Sequence, residues 1–137
     1  MEPSSNFTRG QLERTLSQRI EALYRSQLGH RPTKVTCHLF DEKMAIVMED
    51  AVTPPEQLLA KNGQEELAEQ VRDDLDRVLQ PQLCDLITEV LGVSVTDILS
   101  DAKLETGRTG MIAILAEIPS MREPSSKAPP IRKPEQP

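Results

Sequence analysis

The 137-residue sequence contains no Trp, one Tyr and two Phe. A core built from it must rest on Leu, Ile, Val, Met and Ala, and no set of rings is available to stack on bases or sugars. Positive charge is also short: 16 Lys and Arg stand against 22 Asp and Glu, a net charge of −6. A duplex ligand needs cations to displace its condensed counterions, so no nucleic-acid partner is expected. Cysteine is scarce, with Cys37 and Cys84 far apart, no CxxC and no His/Cys cluster at zinc spacing. Two reduced, buried thiols are expected, with no metal and no cofactor. No apolar run approaches the roughly 18 residues of a membrane span, and Met1 to Asn6 is too polar for a secretory leader. The expectation is a cytoplasmic protein without direct membrane insertion.

What is present is dominated by one long amphipathic segment, Gln64 to Leu91, followed at once by Gly92. Leu67, Val71, Leu75, Val78, Leu83, Leu86 and Val90 recur at the steps of a buried helical face. Glu65, Glu66, Glu69, Arg72, Asp73, Asp76 and Arg77 form the opposite face, whose mixed signs read as solvated surface. Pro81 lies inside the segment and removes one backbone donor, which predicts a kink or a break.

An earlier helix begins at Thr8, a capping residue with Gln11 three positions on, and ends near Leu28-Gly29 with Pro32 barring its return. Thr33 to Phe40 alternates with Val35, Cys37 and Leu39 on one side; after the polar turn Asp41-Glu42-Lys43, Met44 to Met48 reads as the returning strand. Thr53, with Pro54 and Glu56 behind it, opens a short helix to Lys61 that Asn62-Gly63 ends. Beyond the long helix, Val93 to Leu99 predicts a strand, Ser100 to Gly110 a polar connection, and Met111 to Ile118 a final strand.

The order is αββ, a short helix, then αββ. An α+β fold follows, with a four-stranded antiparallel sheet and the two long helices on one face. The halves share a plan: Leu28-Gly29 and Thr33 answer Leu91-Gly92 and Thr96, while Ala45 to Glu49 answers Ala113 to Glu117. Duplication and coincidence both account for it. One domain is predicted over residues 8–118, with disordered termini at 1–7 and 119–137; the latter holds six prolines and a local charge of +2. A sheet covered on one face, or with an open edge, makes a homodimer the default.

Few groups suggest chemistry. His30 and His38 have no Ser, Cys or Asp at triad spacing and read as surface residues. Gly107-Arg108-Thr109-Gly110 is either an anion cradle or a hairpin tip, and Gly29-His30-Arg31-Pro32-Thr33-Lys34 is a second cationic turn. Arg31, Lys34, Arg72 and Arg108 are the candidate contacts for a small anionic ligand such as a nucleotide or bicarbonate. The bland alternative for Arg72 is a surface ion pair with Glu69 or Asp76, worth under about 1 kcal/mol.

Several spaced residues carry a family resemblance: Gly29-His30-Arg31-Pro32, Asp41, Val52-Thr53 with Glu56 and Leu59, Arg72, Gly92 with Val95, and Ser100-Asp101. The chain resembles, over roughly residues 8 to 118, the C-type subunit domain of the sodium-translocating membrane-potential-generating system, a small bacterial family. Gly29, Pro32, Thr53, Glu56, Arg72, Gly92 and Asp101 are the family positions. Two departures stand out. The first turn lacks a second glycine, and Asp50-Ala51 occupies a place where the family tends to have glycine. The resemblance implies a non-catalytic accessory protein that binds a protein partner, linked in some bacteria with a membrane complex for ion or inorganic-carbon uptake.

Overall fold

The computed structural model describes residues 6–122, so the disorder expected at both termini falls mainly on residues outside that range. Thr8 caps the first helix reciprocally: its Oγ1 accepts from the Gln11 amide at 3.2 Å, and its own amide donates to Gln11 Oε1 at 2.8 Å. Helix α1 (Arg9–Leu28) buries Leu12, Leu16, Ile20 and Tyr24 and stops at Gly29, whose φ of 66° is the left-handed value a helix end requires. Strands β1 (Lys34–Phe40) and β2 (Lys43–Glu49) form the expected hairpin, turning at Asp41 with φ 54°. Helix α2 spans Pro54–Lys61.

Helix α3 (Glu65–Leu91) runs through Pro81 unbroken, so of the kink or break expected there the break does not occur. Pro81 and Arg77, whose carbonyl loses its donor, both lie on the exposed side, where the freed carbonyl is open to solvent. The buried face is also rotated from the expected one. Ala68, Arg72, Leu79, Leu83, Leu86, Ile87, Val90 and Leu91 are buried, whereas Leu67 and Val78 are exposed. The N-terminal half of α3 packs on α2, while its C-terminal half joins α1 and the sheet, so one stripe drawn along the whole helix misses both surfaces.

The second hairpin is longer than expected. Strand β3 (Val95–Lys103) and strand β4 (Arg108–Leu115) absorb most of the polar Ser100–Gly110 stretch, leaving a turn at 104–107. Edge-strand polarity hid this: Ser100 and Asp101 lie in a strand with solvent beside it. A register irregularity falls between Val95 and Asp97. The four antiparallel strands take the order β1-β2-β4-β3, and Cys37, Leu39, Met44, Ile46, Met48, Met111, Ala113 and Leu115 face α1 and α3 in one core. Cys84 is only half-buried, contrary to expectation, and both thiols are free. At the end of the described chain, Met121 packs on the core and the Arg122 amide donates to Phe7 O at 2.7 Å.

This order places the two αββ halves about an approximate two-fold axis through the paired Ile46 and Met111. The proposed match of Ala45 to Ala113 is out of register. Ala113 faces the core and Ala45 the other side, and an odd slip always exchanges faces.

Candidate functional site

Residues 50–56 are held from three directions. Asp50 adopts φ 54°, a left-handed conformation that glycine enters most freely; aspartate is among the few other residues that enter it readily. Its Oδ2 accepts from Thr33 Oγ1 at 2.6 Å, and its carbonyl lies 2.7 Å from His30 Nε2. The next amide, Ala51, donates to Gly107 O at 2.7 Å. Gly107 is itself left-handed, at φ 75°, and a Cβ there would come within 3.4 Å of Gln57 Nε2.

Thr53 then starts α2. Its amide and its hydroxyl both donate to Glu56 Oε2, at 3.0 and 2.8 Å. The same carboxylate takes a two-pronged contact from Arg72: Nε to Oε1 at 2.8 Å and Nη2 to Oε2 at 2.8 Å. Arg72 Nη2 also donates to Ala51 O, and Nη1 to Asp76 Oδ1, each at 3.2 Å. Glu56 is 0 % exposed and the Arg72 side chain 4 %. The ion pair with Asp76, the bland alternative for Arg72, is present but buried, and the principal partner is Glu56, sixteen residues away. Thr53, Glu56 and Arg72, three of the residues that carry the resemblance, converge in this network.

Burial works against the Arg72 charge, but the hydrogen bond and charge of Glu56, with Asp76 behind them, outweigh it and raise the Arg72 pKa further. Asp76 titrates above its ordinary value because burial outweighs the charge of Arg72. Tyr24, on α1, feels the same cluster: burial first, then the Asp76 charge, pushes its phenol up to about 12. Sequence reasoning passed over Tyr24. The available signal was its place in the α1 stripe Leu12, Leu16, Ile20.

The remaining candidates are not gathered here. Arg31 pairs with Glu21 at 3.4 Å, and Arg108 Nε with Glu49 Oε1 at 2.9 Å. Lys34 lies opposite Glu49 in the β1–β2 register, so it shares an end of the sheet with Arg108. Arg72 lies apart, within the helix layer. Gly107 closes the β3–β4 turn and Arg108, Thr109 and Gly110 open β4, so Gly-Arg-Thr-Gly runs from the hairpin tip into the strand. Gly29 and Gly92 end helices in left-handed conformations, Pro32 is buried, and the Asp101 carboxylate accepts from the Ala102 amide at 2.9 Å.

Beside the buried network runs an open polar groove of about 1210 Å³ between α2, the first half of α3 and the β3–β4 hairpin. Arg72 and Asp76 reach its floor, and Glu69, Asp73, Arg77 and Lys103 are among its walls. Among the described residues no His, Cys, Asp and Glu side chains are grouped as metal ligands would be, and no helix is long and apolar enough to cross a membrane.

Fold and site together define an α+β protein of two αββ halves, with a buried Glu–Arg clasp under an open polar groove. The chain belongs to the family described as Na+-translocating membrane potential-generating system (MpsC), whose model matches residues 8–117. No curated protein and no solved structure matches the chain.

Proposed function

We propose that this chain is a non-catalytic accessory or regulatory protein. It works as a cytoplasmic homodimer through protein–protein contacts at the membrane system named in the family's description, one that moves ions or inorganic carbon. The groove carries the reading. Its floor is held rigid by Arg72, whose guanidinium is committed to Glu56, Asp76 and the Ala51 carbonyl. A charge so fully engaged has little to offer proton transfer, and it gives the exposed wall residues a fixed base for recognising a polar polypeptide segment. Arg31 and Arg108, each paired with a carboxylate, favour this reading over an anion sensor.

The test is co-purification of the tagged full chain from membranes of its own host, beside a Glu69→Lys, Asp73→Lys variant. Both substituted residues are exposed, so the fold should melt as in the wild type. The expected result is a defined membrane complex with the wild type and about tenfold less of it with the variant. Equal recovery, or no specific partner at all, overturns the reading.

A further inference from the structure

The sheet has a second face, on the side away from α1 and α3, and no described element covers it. Its middle is made by the two inner strands, where Ala45 pairs with Ile112 and Val47 with Gly110. Large and small side chains thus alternate both across the strands and along them. Phe40 and Leu99 extend the apolar surface onto the outer strands, and Phe40, Val47 and Leu99 are 38, 40 and 57 % exposed. The apolar centre is small and ringed by charge: Lys43 and Glu49 flank it on β2, Arg108 on β4, and Asp101 of β3 pairs with Gly110.

Such a checkerboard complements itself. A second copy turned half a revolution about an axis in the interface, along or across the strands, brings its Val47 and Ile112 over the small residues Gly110 and Ala45. The notch over Gly110 is real space: a Cβ built there meets nothing nearer than Ile46 O at 4.0 Å. The alternative route to a dimer, strand addition at the sheet edges, is obstructed. In β3 the amides of Ile98 and Ala102 donate to the carboxylates of Asp97 and Asp101, both at 2.9 Å. In β1 the Leu39 amide donates to Glu13 Oε2 at 2.8 Å.

Four strands about 4.8 Å apart and about seven residues long give a face of roughly 19 by 24 Å, or about 450 Å² in plan. Corrugation raises the accessible area above that, so two such faces approach the lower end of stable interfaces, about 1,200 Å² in total. We propose that a second copy of this chain covers the outer sheet face, the two sheets stacked with Val47 and Ile112 of each copy seated over Gly110 and Ala45 of the other. This rests on the homodimer part of the functional reading and is independent of the membrane partner.

Sedimentation velocity on the full chain tests it. The wild type should run as a dimer, and Gly110→Val, whose Cβ meets no atom nearer than Ile46 O at 4.0 Å, should fill the notch and weaken the dimer on the order of a hundredfold with the circular dichroism spectrum unchanged. Adding Val47→Gly to Gly110→Val restores the dimer if the axis runs along the strands, and adding Ile112→Ala restores it if the axis runs across them. A wild type monomeric at about 100 µM overturns both the proposal and the homodimer reading. A dimer indifferent to Gly110→Val overturns this face alone, as does a loss that neither second substitution repairs.

Discussion

Helix α1 and the last twenty residues of α3 correspond at one offset of 63 positions, the separation of Gly29 and Gly92. Leu12, Leu16, Ile20 and Leu28 fall on Leu75, Leu79, Leu83 and Leu91. At the start of each stretch an arginine pairs with an acid four residues on: Arg9 with Glu13 at 3.7 Å, Arg72 with Asp76 at 3.2 Å. The two arginines have nearly the same local sequence logic and opposite fates. Arg9 is 56 % exposed and Arg72 4 %. The difference is α2, which supplies Glu56, and the residue Ala51 before it, which supplies a carbonyl. Burial by a neighbouring segment, more than the local pair, sets what each arginine contributes.

The comparison breaks most sharply at those two positions. Arg72→Ala leaves Glu56 buried and unpaired, and should cost about 3–5 kcal/mol; Arg9→Ala should stay within about 0.5 kcal/mol. Urea unfolding midpoints measure both, and similar losses would refute the contrast. Replacing both buried partners with apolar residues, as in Glu56→Leu with Arg72→Met, should recover much of the loss, since it removes the stranded charge.

The same offset sets Gln18 of α1 against Pro81 of α3. Both are exposed helix-interior positions, so the two halves should respond in opposite directions to one exchange. Gln18→Pro should cost about 3 kcal/mol, and Pro81→Ala should stabilise by about 1–3 kcal/mol, because α3 already runs through that position. A Pro81→Ala variant less stable than wild type would mean that α3 depends on a distortion at the proline.

Much of this was legible before the structure. Caps and turns are local, so the limits of α1, β1, β2 and α2 follow from Thr8, Gly29, the 41–43 turn, Thr53 and Asn62-Gly63. Arg72 was misread because Glu69, Asp73 and Asp76 around it have the look of a solvated face. What buries it is a carboxylate sixteen positions away, and helical periodicity reports nothing at that range. A signal was available all the same: Arg72 continues the stripe through Ala68 and Leu79 at helical spacing. Strand β3 was cut short for a related reason. An edge strand keeps polar residues on several sides, so its alternation fades where pairing with β4 persists.

Titration separates counterpart positions of the two halves, although burial also raises the Cys84 thiol of α3. Tyr24 and Cys37 belong to the first half, and their counterparts, Ile87 and Ser100, do not ionise in the accessible range. Burial raises Tyr24 from 10.0 to about 12 and, against a hydrogen bond from Ser17, Cys37 from 9.0 to about 11. A group whose folded pKa lies above its unfolded one holds protons more tightly when folded. Its stabilisation is therefore complete below the unfolded value and is lost as pH rises through the folded one. Stability should fall from about pH 9 to 12 by on the order of 2–3 kcal/mol for each group, at about 1.4 kcal/mol per pH unit. Cys37→Ala should flatten the part between pH 9 and 11, and Tyr24→Phe the part between 10 and 12, in urea midpoints taken across the range. Unchanged alkaline profiles would place the titrating groups elsewhere.

The smallest effect lies on the inner strands. The second hairpin turn is two residues longer than the first, so Met44 of β2 answers Thr109 of β4, and both are buried on the core face. Met44 is apolar. Thr109 carries a hydroxyl, and its Oγ1 is the one buried side-chain polar atom among the described residues with no hydrogen-bond partner. A hydroxyl removed from water without a partner costs free energy, and valine has the same shape without that group. Thr109→Val should therefore stabilise the protein by about 1 kcal/mol, whereas Met44→Thr, which creates the same orphan and a cavity beside it, should destabilise it by more than that. A Thr109→Val variant less stable than wild type would show that the hydroxyl has a partner in solution, and the strands would then differ by a bound water molecule instead of by an unmet bond.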